Sequence, residues 1–276
     1  MATDKARDKA AAPAGIDTAE RRARLSAAAS SLGLALSDVV LARLMGYLDL
    51  LQRWNRVYNL SALRDPDEML SHHLIDCLAV LPPLQRHAAG RPLRILDVGS
   101  GGGLPGVVLA AVHPSWQVRC VDSVSKKSSF IRQVAAELRL SNLQGLHSRV
   151  ENLDPKDGHY DVITSRAFAS LADFTALSQP VLAKQGVWMA MKGKSTSDEQ
   201  AQLPPGVQVF HVEQLQVPGL DAQRCLVWMR PARPDWRVGR QRQNSCQSPG
   251  QGLRPQELRP LPCSVDDLPA AILQHG

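Results

Sequence analysis

Long hydrophobic runs and closely spaced cysteines are both missing from this sequence. Nothing approaches the ~18 consecutive apolar residues of a membrane-spanning helix, and the charged, alanine-rich start has no apolar signal-peptide segment. We therefore expect a cytoplasmic protein with no membrane partner. The five cysteines never have CxxC spacing, so we expect buried thiols and no metal site. They are Cys77, Cys120, Cys225, Cys246 and Cys263.

The composition is that of a globular protein with a basic surface. Hydrophobic residues make up 44% of the chain and charged residues 21%, which suits one large domain with extensions. The formal net charge is +6 and the pI is about 9.3. Because many basic proteins have no polyanionic partner, this charge favours RNA or DNA without establishing it.

The two ends of the chain differ from its middle. Residues 1–17 are rich in Ala, Lys and Asp without an apolar period, which predicts disorder. Residues 233–276 are rich in Arg, Gln, Pro and Gly, which predicts a disordered tail whose role we leave open. Between them, residues 18–90 have helical periodicity and residues 91–232 alternate between strand-like and helix-like runs.

Three helices are predicted in the first of these middle segments. They cover residues 18–32, residues 36–58 and a stretch from residue 65. For the third helix, Asp65 is a candidate N-cap, Pro66 takes the first helical position and Pro82-Pro83 ends the helix.

The segment 91–232 predicts an α/β fold with a parallel, doubly wound sheet. Its strand-like runs are LRILDV, WQVRCVD, LQGLHS, YDVITSRA and GVWMAMKG, and its helix-like runs are PGVVLAAVH, SKKSSFIRQVAAELRL and SLADFTALSQPVLA. Two further runs, VQVFHVEQLQV and QRCLVWMR, follow the last helix directly and predict an antiparallel pair at the sheet edge.

The stretch RILDVGSGGGLPG joins the first strand to a helix through a loop with almost no side chains. Such a loop presents backbone N–H groups and a helix N-terminus to a ligand. Two registers are open: Gly99, Gly101 and Gly103 give G-x-G-x-G, and Gly101 to Gly106 gives G-x-G-x-x-G, which starts late for a dinucleotide fingerprint. Asp97 at the strand end would repel a pyrophosphate and suits an ammonium group.

S-adenosylmethionine, a zwitterion without phosphate, fits these groups. Asp122 ends the next strand, 23 residues after Gly99, and its carboxylate can accept both ribose hydroxyls. Ser123 would then lie near the adenine, and the backbone groups of Val150 and Glu151 would reach its edge.

Other motifs point to one family. The segments WNRVYNL, GLPG and SRAFASL occur together in a match that runs from about residue 35 to 230. The chain thereby resembles the bacterial small-subunit (16S) rRNA guanine-N7 methyltransferases, the RsmG or GidB family. One departure is GGG in the loop, where a Pro or Cys often takes the middle place, and the tail after about residue 232 has no counterpart.

The resemblance implies a class I S-adenosylmethionine-dependent methyltransferase. We expect a Rossmann-like, mostly parallel seven-stranded sheet with an antiparallel edge strand, a helical N-terminal extension and a methyltransferase domain over 91–232. The implied cofactor contacts are Gly99, Leu104, Val150, Glu151 and Arg166. The implied substrate is small-subunit rRNA or the small ribosomal subunit particle, and we expect a monomer.

Guanine N7 carries a lone pair and no proton, so methylation by in-line displacement needs no general base and depends on positioning. We assign no catalytic base. Arg166, at the end of the strand YDVITSR, is either a cofactor or RNA contact or a structural ion pair. His73 is a weaker site candidate than Arg166, since one of His72 and His73 should face the core. Asn55 and Asn59 either cap their helix or contact the cofactor.

RNA binding requires a basic surface, although each cation alone could be an ordinary solvated charge. The candidates are Arg53, Arg56, Lys126, Lys127, Arg132, Lys192 and Lys194. Three other functions stay open from the fold alone: a small-molecule methyltransferase, a non-catalytic cofactor-binding regulator and a nicotinamide oxidoreductase.

Overall fold

A seven-stranded sheet forms the centre of the computed structural model, which describes residues 18–166, 168–193 and 197–232. The strands run in the spatial order β3-β2-β1-β4-β5-β7-β6. They are β1 (Arg94–Val98), β2 (Gln117–Asp122), β3 (Leu143–His147), β4 (Tyr160–Ser165), β5 (Leu182–Lys192), β6 (Val207–Leu215) and β7 (Arg224–Pro231). Strands β1 to β5 are parallel, and β7 pairs antiparallel with both β5 and β6. This arrangement confirms the predicted α/β fold with an antiparallel pair at one edge.

Helices cover both faces of this sheet. The N-terminal helices are α1 (Thr18–Ser31), α2 (Asp38–Tyr58), α3 (Pro66–Met69), α4 (Asp76–Leu78) and α5 (Leu81–Ala88), with a π-helical turn over Leu70–Ile75. The crossover helices are α6 (Gly106–Val112), α7 (Ser125–Glu137) and α8 (Leu171–Ser178), and α9 (Ser197–Ala201) precedes β6. Three 3₁₀ turns occupy Val150–Asn152, Pro155–Asp157 and Gln179–Val181.

Alternation of side chains along the strands produces two cores. Ile95 belongs to the larger core, which the N-terminal helices share with α6 and α7. Its neighbour Leu96 points to the opposite face and packs with Phe174 of α8. The N-terminal helices therefore pack against one face of the sheet.

The predicted helix from residue 65 differs from the structure at its end. Asp65 is the N-cap as expected, since its side chain accepts the N–H groups of Asp67 and Glu68. Pro82 and Pro83, however, lie in the first turn of α5 and do not end the preceding helix. The reason is that the first turn of a helix needs no N–H donors, so proline is tolerated there.

The predicted helix SLADFTALSQPVLA is shorter than expected. Helix α8 ends at Ser178, and a 3₁₀ turn over Gln179–Val181 leads into β5, which begins at Leu182. Pro180 lies within that turn, because proline cannot continue an α-helix from its interior. The predicted disordered segments 1–17 and 233–276, with Cys246 and Cys263, lie outside the described residues. Cys77, Cys120 and Cys225 are buried, as predicted.

No helix in the described part of the chain is long and apolar enough to cross a membrane. Within the same residues, no group of three or more His, Cys, Asp or Glu side chains could hold a metal ion.

Candidate functional site

The site lies where the strand order reverses, at the carboxyl ends of β1 and β4. Parallel sheets of this kind bind ligands at such a point, because the loops that leave the two strands diverge and open a crevice. Three cavities follow this edge of the sheet. We name them the β2-side, the central and the β5-side cavity.

The cavities share walls. The β2-side cavity is lined by Val98, Gly99, Val121–Val124, Lys127, Ser148–Glu151, Phe168 and Leu177. The central cavity is lined by Tyr47, Leu51, Leu60–Leu63, His73, Gly99–Gly102, Leu104, Lys127 and Arg166. The β5-side cavity is lined by His72, His73, Asp76, Arg166, Met191–Gly193 and Arg224. Gly99 and Lys127 line both the β2-side and the central cavity, and His73 and Arg166 line both the central and the β5-side cavity.

Asp122 fixes the glycine loop from the end of β2. Its carboxylate accepts the N–H of Gly101 at 3.0 Å and the N–H of Val124 at 2.9 Å, and Lys127 Nζ lies 3.5 Å away. Gly101 has φ +58, a left-handed conformation that glycine adopts without strain. A carboxylate has about four acceptor positions, so Asp122 keeps capacity for a ligand in the β2-side cavity.

Asp97 has a different place from the one its position in the motif suggested. It is fully buried, it lines none of the three cavities, and its Oδ2 accepts the N–H of Gly106 at 2.9 Å. Its Oδ1 has no hydrogen-bond partner among the described residues. Burial raises the pKa of Asp97 to about 7, against the lowering effects of the Gly106 N–H and the Arg166 charge. Because Asp97 lines none of the three cavities, its contact with an ammonium group stays a prediction.

Arg166 follows β4 and separates the central cavity from the β5-side cavity. Its Nη1 lies 3.1 Å from the carbonyl oxygen of His72, 3.3 Å from His73 Nδ1 and 3.8 Å from Asp76 Oδ2. Burial alone would lower the pKa of Arg166, but the neighbouring Cys77 and Asp76 raise it above its ordinary value, so the guanidinium stays charged. Arg166 thus forms an ion pair with Asp76 and also lines two cavities, while its contact with the cofactor or RNA stays a prediction.

Sequence reasoning missed two charged groups of the β5-side cavity. Asp76 accepts the Nε–H of Arg224 at 2.8 Å while it faces Arg166 on its other side. Arg224 starts β7, which is antiparallel, so its first residue lies at the same sheet edge as the end of β5. No sequence motif marks either residue, because they are 148 positions apart.

His73 lies in the site, although the sequence made it only a weak candidate. It is 8% exposed and borders both the central and the β5-side cavity. Burial, followed by the charge of Arg166, lowers the pKa of His73 to about 4. The ring is therefore neutral near pH 7.

The two asparagines after Trp54 hold the chain around the end of α2. Asn59 is the C-cap residue with φ +50, in agreement with the predicted cap. Asn55 is buried, accepts the N–H of Ser61 and donates to the carbonyl of Leu63, both at 2.8 Å. Neither asparagine lines one of the three cavities; Asn55 instead positions the loop Leu60–Leu63, which lines the central one.

The other predicted cofactor residues divide between two cavities. Ser123, Val150 and Glu151 border the β2-side cavity, and Leu104 borders the central cavity. Gly103 lies within the loop with φ +86 and lines neither cavity.

The predicted RNA-binding cations do not form one set. Arg53, Arg56, Lys126 and Arg132 are exposed on α2 and α7. Lys127 instead lines two cavities beside Asp122. Lys192 is 16% exposed and forms an ion pair with Glu199 at 2.7 Å. It lines the β5-side cavity, and its contact with RNA stays a prediction. Lys194 lies outside the described residues.

Comparison with known proteins shows the family to which the chain belongs. The family model for rRNA small subunit methyltransferase G, GidB, matches residues 40–227. A protein named ribosomal RNA small subunit methyltransferase G from Paracidovorax citrulli is 58% identical over 220 residues, which cover 76% of this chain and 89% of that protein. One of the same name from Leptothrix cholodnii is 60% identical over 210 residues, covering 76% of this chain and 95% of that protein.

Solved structures are more distant. The crystal structure of TrmN from Thermus thermophilus is 20% identical with a TM-score of 0.46, and the match covers 59% of this chain and 53% of that one. The family assignment therefore depends on the sequence relatives. The chain belongs to the rRNA small subunit methyltransferase G (GidB) family.

Proposed function

We propose that the protein transfers the methyl group of S-adenosylmethionine to N7 of a guanine in small-subunit rRNA. The observation that supports this most is the row of three neighbouring cavities. Gly99 lines both the β2-side and the central cavity, and His73 and Arg166 line both the central and the β5-side cavity. Together they offer a place for a nucleoside, for an amino-acid end and for a substrate base beside it.

The residues at this edge fit S-adenosylmethionine. Asp122 has spare acceptor capacity at the β2-side cavity for ribose hydroxyls. Val150 and Glu151 border the same cavity and would hold the adenine edge. Arg166 and Lys127 face the central cavity, where they would hold a carboxylate. When bound, S-adenosylmethionine supplies an electrophilic methyl group.

The β5-side cavity is the proposed place of the guanine. It adjoins the central cavity at Arg166, and residues of the N-terminal helical part, His72, His73 and Asp76, form one of its walls. Since N7 carries no proton, the chain need not supply a base. The contribution of the protein is to orient the base and to exclude water from the reacting atoms.

The RNA would approach over the surface formed by α2 and α7. These helices are held together by the hydrogen bond from Trp54 Nε1 to Gln133 Oε1 at 3.1 Å, and α7 carries Lys127, which borders the central cavity. Their exposed cations Arg53, Arg56, Lys126 and Arg132 can bind phosphates without base specificity.

A methylation assay tests the proposal. Purified protein with isotope-labelled S-adenosylmethionine is incubated with naked rRNA, or with small-subunit particles, from cells that lack the endogenous enzyme. Mass spectrometry should find a single 7-methylguanosine, and the two substrates distinguish RNA from assembled particle. Binding of the donor without transfer of label to either RNA would refute the proposal. That result is the one expected of a non-catalytic cofactor-binding regulator. Faster methylation of a metabolite pool would favour a small-molecule enzyme.

A further inference from the structure

The loop after α2 carries a hydroxyl group whose position is unusually well determined. Ser61 lines the central cavity, and the buried Asn55 holds this loop at both ends through its bonds to the Ser61 N–H and the Leu63 carbonyl. Because both atoms of the Asn55 amide are used in this way, the backbone at Ser61 is fixed relative to α2.

Two neighbours surround the Ser61 oxygen. The N–H of Leu63 donates to Ser61 Oγ at 3.1 Å, and His73 Nε2 lies 2.7 Å from the same oxygen. Whether His73 donates or accepts here depends on which ring nitrogen carries the proton.

Arg166 decides the tautomer of His73. Its Nη1, which can only donate, lies 3.3 Å from His73 Nδ1. The His72 carbonyl is also near Nδ1, at 3.2 Å, and accepts from Arg166 at 3.1 Å. A carbonyl has a second lone pair, so this oxygen admits either tautomer, and the charge of Arg166 selects between them. A permanent cation beside Nδ1 favours a lone pair on this atom. The proton then resides on Nε2, which donates to Ser61.

In this arrangement both lone pairs of Ser61 Oγ accept hydrogen bonds, from His73 and from Leu63. The hydroxyl proton is left to donate, and the hydrogen bonds of the described residues include no acceptor for it. The cationic side chain of Arg166 lines the same cavity as Ser61. A donor beside a cation suits an anionic group of the ligand.

We propose that the Ser61 hydroxyl binds the carboxylate at the amino-acid end of the methyl donor, and that His73 is the positioning residue that directs it. This inference rests on the proposed function, since it assumes that S-adenosylmethionine occupies the cavities. It adds a polar contact from the N-terminal helical part to a cofactor site whose other proposed contacts come from the sheet loops and α7.

Calorimetric binding of two ligands tests the role of Ser61. S-adenosylhomocysteine has the amino-acid end, whereas 5′-methylthioadenosine has the same nucleoside and thioether without it. Ser61→Ala should weaken the first by about tenfold, the loss of one hydrogen bond to a charged group, and leave the second within about twofold. Ser129→Ala removes a hydroxyl on α7 that borders neither cavity, and it should bind both ligands like the wild type.

The outcomes separate the two proposals. Failure of the wild type to bind S-adenosylhomocysteine would refute the proposed function. Equal losses for both ligands, or no loss for either, would overturn the role of Ser61 while the proposed function stands.

Nitrogen NMR of the His73 ring tests the positioning role. The spectrum should show a protonated Nε2 and an unprotonated Nδ1, and the opposite tautomer would overturn the inference. His73→Phe should weaken the binding of S-adenosylhomocysteine but not that of 5′-methylthioadenosine. His73→Gln, whose amide can still donate to Ser61, should recover part of the lost affinity. Both variants are compared at equal fractions of folded protein, measured by circular dichroism.

Discussion

Replacement of Asp122 by alanine should have two separable effects. The carboxylate connects the glycine loop to the start of α7 by accepting the N–H groups of Gly101 and Val124 at 3.0 and 2.9 Å. It also borders the β2-side cavity, where the ribose of the donor is proposed to lie. The variant loses the internal hydrogen bonds and the ligand contact together.

The two magnitudes differ in origin. A hydrogen bond to a charged group contributes about 1.5–3 kcal/mol. Water from the adjoining cavity can replace part of this, so we expect the free energy of unfolding to fall by about 2–3 kcal/mol, or the melting temperature by about 4–12 °C. Loss of the ribose contact should weaken donor binding by a further ~1–3 kcal/mol.

Chemical denaturation without ligand measures the first effect, and titration with S-adenosylhomocysteine at a temperature where the variant is folded measures the second. Asp154→Ala is the matched control, because Asp154 also accepts a backbone N–H, from Lys156 at 2.8 Å, but is exposed and lines none of the three cavities. It should lose at most about 1 kcal/mol of stability and no affinity. Unchanged stability of Asp122→Ala would refute the loop role, and unchanged affinity would refute the placement of the ribose.

Three other predictions follow from single residues. A Cβ on Gly106 would collide with the Cys120 sulfur, so Gly106→Ala should lower the free energy of unfolding by about 2 kcal/mol or more, whereas Gly206→Ala, which meets open space, should be neutral in the same denaturant titration. His73 has a pKa of about 4 in the folded chain against 6.5 in the unfolded one, so acidification from pH 6.5 to 4 protonates only the unfolded state. The stability of wild type relative to His73→Phe should therefore fall by about 3 kcal/mol across this range, and a constant difference would contradict the neutral ring. Lys126→Ala should reduce the slope of log affinity for rRNA against log salt concentration by about 1, and an unchanged slope would remove Lys126 from the RNA surface.

Much of the fold could be predicted because it depends on local patterns. Short apolar runs alternate with helical ones from Leu93 to Met229, and each strand of the sheet overlaps such a run, although β5 begins at Leu182, four residues before the run GVWMAMKG. The end predicted for the helix from residue 65 is wrong, because proline is found at the starts of helices as well as after their ends. Pro82 and Pro83 begin a helix, since the pair is compatible with a first turn as well as with a stop.

The site could be predicted only in part, because its parts have different origins. The glycine loop, Asp122 and Arg166 lie at strand ends, which sequence patterns locate. Asp76 and Arg224 meet only through the antiparallel insertion of β7 beside β5, and no local signal records that contact. Ser61 could not be singled out either, since its importance comes from Asn55 and His73 around it.

The glycine loop itself has two reasons for its composition. At one end, Gly101 has a left-handed backbone and donates its N–H to Asp122, next to a cavity. At the other end, Gly106 faces inward, where a Cβ would lie 3.0 Å from Asp97 Oδ2, and it donates its N–H to that oxygen. The two acids at the ends of β1 and β2 therefore clamp the loop from both sides. Since a loop held in this way need not be ordered by its ligand, we expect the clamp to lower the entropy cost of binding, so that both acids act on the ligand through the loop they hold.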